Sequence, residues 1–106
     1  MKQAAPPGVL DHLFGALADP TRRALMERLV RDGPETATRL AAGTPLTRQA
    51  VVKHLQALVD AGLASSQRAG REVRYTATPA PMALAVAWMV ESSTDWDRRI
   101  ARLQSG

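Results

Sequence analysis

The sequence predicts a mainly α domain of five helices that carries one small β-hairpin. Three observations lead there. Apolar residues recur every three or four positions in separate stretches divided by Gly and Pro, the period of helices with one buried face. Between Leu63 and Ala77 the pattern becomes extended, around a turn at Ala69-Gly70. A short helix, a tight turn and a longer helix follow one another between Glu35 and Ala61, which is a helix-turn-helix order. At 106 residues the chain fits one compact domain with a modest core, to which a second subunit would add buried surface.

Each element has its own signals. Residues 1–8, closed by Pro6-Pro7-Gly8, are expected to be a disordered arm, and 9–106 the folded domain. Leu10, Leu13, Phe14 and Leu17 mark the first helix. Asp19 as N-cap and Pro20 at the first helical position start the second, with Leu25, Met26, Leu29 and Val30 facing inward and Asp32-Gly33-Pro34 as its stop. The third helix is expected over about Glu35 to Ala42, with Ala37, Leu40 and Ala41 as buried candidates and Gly43 ending it. Thr44-Pro45-Leu46 makes the turn, Thr47 caps the fourth helix, and that helix runs to about Ala61 with Gly62 as C-cap. In the hairpin Val73 and Tyr75 face inward, Glu72 and Arg74 outward. Pro79 and Pro81 open the last helix, whose apolar positions are Met82, Val86, Met89, Trp96, Ile100 and Leu103, with Ser93 the one polar break. Steps of four and three form a heptad seam. The whole is a winged helix-turn-helix architecture, with no dividing linker, internal repeat or low-complexity tract.

The fourth helix has two chemically distinct faces. At about 100° per residue, Val51, Leu55 and Leu58 fall together with Val52 and Val59 on one flank, while Gln49, Lys53, Gln56 and Asp60 fall opposite. Gln49 and Lys53 lie near the N-terminal end, the end of a recognition helix that reaches base edges. A Gln amide pairs with adenine, and Lys donates to guanine or phosphate. Ala50 is small enough for close approach to the groove, and Thr47 and Arg48 stand where a helix start holds phosphate. By itself this is equally an amphipathic surface helix with a solvated face. The turn before it and the hairpin after it favour DNA. Arg68, Arg71 and Arg74 cluster on that hairpin beside one acid, Glu72. Arginine suits phosphates and a narrow minor groove. A sheet edge blunted with charge is the alternative, but it does not require arginine in particular.

Composition narrows the function classes. Lys and Arg total 14 against 10 acids, a net charge of +4, and the sequence pI is near 10.7, compatible with a polyanionic partner. There is no cysteine, hence no disulfide or thiolate metal site. The first residues carry one charge and no apolar run like a signal peptide's, and no stretch approaches the ~18 apolar residues of a membrane span. A cytoplasmic protein without membrane association is expected. No nucleophile–base pair, metal cluster or glycine-rich phosphate loop marks an enzyme, and nothing calls for a cofactor. His12 and His54, the only two histidines, do not supply the roughly four converging ligands of a zinc site; His54 reads as structural or phosphate-contacting, without an evident acid partner. Trp88 and Trp96 read as core or dimer contacts in preference to a ligand pocket.

Leu17-Ala18-Asp19-Pro20-Thr21-Arg22-Arg23 with Leu25, then Val52-Lys53-His54-Leu55 with Leu58, then Ala61-Gly62-Leu63, then Gly70-Arg71 with Tyr75 together closely resemble the ArsR-type winged-helix transcriptional repressors, from about Leu10 to Leu103. The resemblance implies a homodimer that binds palindromic operators, often its own promoter, with the first and last helices as the dimer interface. Carried onto this chain it puts Thr47, Arg48, Gln49, Ala50, Lys53 and His54 on the DNA-facing helix and Arg71 and Arg74 in the wing. The interface it implies takes in Leu10, Leu13, Phe14 and Leu17 together with the seam of the last helix. Many members have serine where this chain has Val52, a change that removes a phosphate hydrogen bond or alters helix packing. The family's metal ligands do not carry over: its cysteine pair is replaced in Glu35-Thr36-Ala37-Thr38-Arg39-Leu40, and the histidine and acid ligands of its last helix are missing. Trp88, Asp95, Trp96 and Asp97 resemble the last helix of the non-metal-sensing branch.

The expected function is therefore that of a sequence-specific regulator of transcription, an autoregulating homodimeric repressor on double-stranded DNA. No residue names a small-molecule inducer. The alternative is a winged-helix protein-interaction module that binds no DNA; a wing of that kind would expose apolar residues rather than arginines.

Overall fold

Side-chain caps and glycine stops divide the described residues into eight elements: α1 (Val9–Leu17), α2 (Pro20–Asp32), β1 (Glu35–Thr36), α3 (Ala37–Ala41), α4 (Arg48–Asp60), β2 (Ala64–Ala69), β3 (Glu72–Ala77) and α5 (Met82–Ser105). The computed structural model describes residues 8–105. The arm expected over 1–8 lies outside them except for Gly8, which is the N-cap of α1 at φ 87°. Five helices and a small antiparallel sheet make the mainly α winged helix-turn-helix expected from the sequence.

Local chemistry explains the boundaries. The Asp19 carboxylate accepts from Thr21 N–H and Arg22 N–H at 2.8 and 3.2 Å, with Pro20 at the first helical position of α2. Thr47 Oγ1 accepts from Ala50 N–H at 3.0 Å and starts α4. At the other end of α4 the cap residue is Ala61, with Gly62 just beyond it at φ 77°. Gly62 N–H donates to Val59 O and Leu63 N–H to Leu58 O, the paired bonds of a Schellman stop. Leu63 is thereby turned into the core, where it is fully buried.

The third helix is shorter than expected. Glu35 and Thr36 form β1, pairing with Tyr75 and Arg74 of β3, and Thr36 Oγ1 accepts from Arg39 N–H to cap α3. Backbone pairing with a strand nearly forty positions away overrides helix periodicity at this point. The sheet order is β1-β3-β2. The hairpin closes with Ala69 opposite Glu72, so its two loop residues are Gly70 and Arg71, one step later than Ala69-Gly70. Gly70 takes φ 65°, as a two-residue hairpin loop asks of its first position.

One apolar cluster joins α1 to α4 and the sheet, with Leu13, Leu29, Leu40, Leu55 and Leu58 among its fully buried members and Tyr75 closing it from β3. Val30, expected inside, is 55 % exposed. It lies about 140° around α2 from Leu25 at 100° per residue, past the rim of the stripe made by Leu25, Leu29 and Met26. Leu13 is 0 % exposed, which corrects its assignment to the dimer interface: it has no surface left to offer a partner.

Candidate nucleic-acid interface

The turn that aims α4 is built around Thr44. Its hydroxyl donates to Ala41 O at 2.7 Å and accepts from Leu46 N–H at 3.2 Å, while its own N–H donates to Ala41 O. The turn therefore carries its own hydrogen bonds, and α4 leaves it at a set angle. Val51, Leu55 and Leu58 are buried, which turns Thr47, Arg48, Gln49 and Lys53 out to solvent. Ala50 is half-buried beside them. Gln56, on the same exposed line, donates to Asp60 Oδ1 at 2.9 Å.

His54 is half-buried and does have an acid within electrostatic reach. The Asp19 carboxyl is held below its ordinary value of 3.8, first by the Arg22 backbone N–H, against some loss of hydration, and then by the Thr21 N–H and the nearby charge of His54. His54 is thus close enough to the α2 start for its charge to act on Asp19, and it is less exposed than Lys53 beside it.

The three wing arginines do not form one cluster. In the hairpin register Arg68 is opposite Val73, and Gln67 is opposite Arg74. Alternation along a strand then puts Arg68 and Arg74 on opposite faces. Arg68 Nε donates to Gly70 O at 3.4 Å, and Arg74 lies 3.3 Å from the Glu72 carboxylate. Arg71 occupies the loop itself. Instead of joining the other two, it lines a groove of about 430 Å³ with Arg48 and Val52 of α4, Thr38 and Arg39 of α3, and Tyr75. Arg39 sits 3.7 Å from Glu35. Among the described residues neither Arg48, Lys53 nor Arg71 is ion-paired to an acid. Thr38 and Arg39 were not singled out in the sequence. Their signal is positional, since the helix before a recognition helix crosses the nucleic-acid backbone.

The expected dimer surface divides. Leu10, Leu17 and Met82 are half-buried against the domain's own core, and Ile100 is half-buried on α5. Phe14, Val86, Met89, Trp96 and Leu103 are exposed. Trp88 and Val90, outside the expected seam, are exposed as well. Phe14 meets Trp88 edge-on, with ring centroids 5.7 Å apart at 69°, so α5 rests on α1 through its first turns. Among the described residues no three His, Asp or Glu side chains gather where they could share a metal ion, and no helix is long and apolar enough to cross a membrane.

Comparison with known proteins agrees with this geometry. A helix-turn-helix domain family matches residues 17–67, from the end of α1 into β2. The HTH-type transcriptional regulator Rv2034 of Mycobacterium tuberculosis is 38 % identical over 96 residues, which cover 91 % of this chain and 82 % of the relative. An ArsR-like transcriptional regulator from Rhodococcus sp. RHA1 superimposes with a TM-score of 0.81 at 37 % identity, covering 92 % of each chain. The cadmium metal-sensor CmtR of Mycobacterium tuberculosis is 43 % identical with a TM-score of 0.54, over 64 % of this chain and 69 % of that one.

Proposed function

The chain belongs to the ArsR family of winged helix-turn-helix, DNA-binding transcriptional regulators, and we propose that it acts as an autoregulating homodimeric repressor on a palindromic operator. The observation that carries this reading is the groove on which Arg48 of α4 and Arg71 of the wing converge. Two cations without acid partners, one at a recognition-helix start and one at a wing tip, suit two points on the same sugar-phosphate backbone. In that arrangement Thr47, Arg48, Arg71 and the α3 residues Thr38 and Arg39 hold phosphates. Gln49 and Lys53, with Ala50 between them, meet base edges. Arg68 and Arg74 flank the contact from either face of the wing, and His54 supports the helix from its inner side.

Dimerisation completes the site. Val86, Met89, Trp96 and Leu103 of the seam, with Phe14, are large apolar side chains left exposed, and exposed apolar side chains in a row mark an interaction surface. A two-fold pairing covers it with its own copy and presents two α4 helices to half-sites one or two helical turns apart. The absence of cysteine excludes thiolate metal sites only; together with the His and acid ligands missing from α5 and the resemblance of Trp88, Asp95, Trp96 and Asp97 to the non-metal-sensing branch, it supports the proposal that the chain belongs to that branch.

Fluorescence anisotropy of the protein on its own upstream DNA, titrated at two salt concentrations against a scrambled competitor, tests the proposal. Preference for the upstream sequence that weakens with salt is expected. Equal weak binding to both DNAs would overturn autoregulation. No binding even at low salt would overturn DNA recognition and leave a protein-interaction module.

A further inference from the structure

None of the residues Leu17–Arg23 lines the groove, and the DNA contacts above leave the arginines of this segment without a role. Arg22 and Arg23 both turn back from α2 onto the end of α1. Arg22 Nε donates to Ala16 O at 2.7 Å and its Nη2 to Gly15 O at 3.0 Å, while Arg23 Nη1 donates to Leu17 O at 2.6 Å. A helix leaves its last four carbonyls without partners inside the helix, and here three consecutive ones receive guanidinium donors. Positive charge at a helix C-terminus also opposes the negative end of its dipole. Only Ala18 and Asp19 separate α1 from α2, and Asp19 is itself tied to Thr21 and Arg22 N–H groups. Farther along α2, Arg28 Nη1 donates to Leu40 O at 2.9 Å and ties α2 to α3. A continuous set of arginine-to-carbonyl bonds thus runs from α1, through α2, to the helix before the turn that aims α4.

We infer that Arg22 and Arg23 are positioning residues: they clamp α1 at one angle to α2 and thereby set the distance between the two reading helices of the dimer, and so the operator spacing it accepts. This rests on the homodimeric repressor reading, in which α1 and α5 carry the two-fold contact. A bidentate guanidinium fixes direction as well as distance, which a point charge does not. Beside the clamp, α1 is held by apolar packing, with Leu13 and Ala16 buried and Leu10 and Leu17 against the core, an attraction that has no preferred direction of its own.

The test compares wild type with Arg22→Met/Arg23→Met, which keeps apolar stems and removes the donors. Because the chain has no cysteine, spin labels placed by Asp11→Cys on α1 and Glu27→Cys on α2 report the α1–α2 distance without competing thiols. With the labelled protein diluted into excess unlabelled protein of the same variant, so that a pair carries both labels on one protomer only, the expected result is a single narrow distance in wild type and a broadened or shifted one in the clamp variant, with helix content unchanged. An unaltered distance distribution would overturn the clamp, whether or not the protein binds DNA. On DNA, palindromes whose spacers differ by one or two base pairs are compared with a single half-site. Wild type is expected to prefer one spacer by about tenfold, and the variant to flatten this to about threefold or less at nearly unchanged half-site affinity. An unchanged spacer profile, or an equal loss on half-site and palindrome, would overturn the positioning role. Wild type failing to bind any palindrome would sink the repressor reading, while the label distances still decide the clamp. If the double variant does not fold, Arg22→Lys, which keeps the charge but not the two-pronged grip, takes its place with the same outcomes.

Discussion

Arg71 gains its position from a glycine. Gly70 accepts φ 65° at the first loop position of the hairpin, which moves Arg71 to the tip and into the groove with Arg48. As an exposed phosphate contact it acts through counterion release rather than sequence readout. Arg71→Ala is therefore expected to weaken binding to all sequences alike and to lower the salt slope by about one unit, measured by anisotropy across a salt series; an unchanged slope removes the wing tip from the contact. Gln49 is the opposite case, an exposed amide near the start of α4. Gln49→Ala is expected to relax preference at one base position by ~1–3 kcal/mol, and a binding-site profile identical to wild type would refute that. Asp19 ties a single residue to pH. Its folded carboxyl titrates below the ordinary value of 3.8, chiefly because Arg22 N–H donates to the charged form. A depressed folded pKa contributes stability that is complete above the unfolded value and is lost as pH falls through the folded one. Asp19→Asn still caps α2 but does not titrate there. Its melting temperature is expected to fall less steeply than wild type's below about pH 4, and parallel curves would count against the cap's contribution.

At the scale of elements, α4 and its supports decide the site. A 13-residue helix is marginal in isolation, so its persistence rests on the burial of Val51, Leu55 and Leu58. Leu55→Ala removes a side chain with no exposed surface and is expected to destabilise the domain by about 2–5 kcal/mol, read from urea unfolding; a loss well under 1 kcal/mol would mean that the surroundings collapse onto the cavity. The supports are less visible in a linear reading. The helix α3 has five residues, too few to stand alone, and is held by its continuity with β1, by the Thr36 cap and by Arg28 on the Leu40 carbonyl. Its periodicity, Ala37 and Leu40, could be read directly. Its start could not, because pairing with Tyr75 and Arg74 outweighs local preference.

The whole molecule is long for its size. Its radius of gyration is 17.7 Å and its longest extent 65 Å against 28 and 22 Å for the others, whereas a compact domain of this length has a radius of gyration near ~13 Å. The excess is α5, whose 24 residues span about 36 Å at 1.5 Å per residue and reach past the core. Trp96 and Leu103, exposed by 59 and 77 %, lie on that outer portion. Met89→Glu with Trp96→Glu is expected to leave the core folded, yield monomers in analytical ultracentrifugation and abolish palindrome binding. A dimer that survives both changes would place the two-fold contact elsewhere.

Everything that depends on local preference was decided by the sequence itself: the Asp19-Pro20 and Thr47 helix starts, the Gly62 stop, the inward line of Val51, Leu55 and Leu58, and the alternation that buries Tyr75. These follow from which backbone conformations a residue accepts and from periods of 3.6 and 2, both properties of short stretches. Tertiary structure alone decided the short strand at Glu35–Thr36, the burial of Leu13 and exposure of Val30, the separation of Arg68 from Arg74, and the meeting of Arg48 with Arg71. The physical reason is common to all four. A periodic pattern says which face of an element is apolar, but which apolar residues are covered, and which charges become neighbours, depends on the angle at which elements distant in sequence pack against one another.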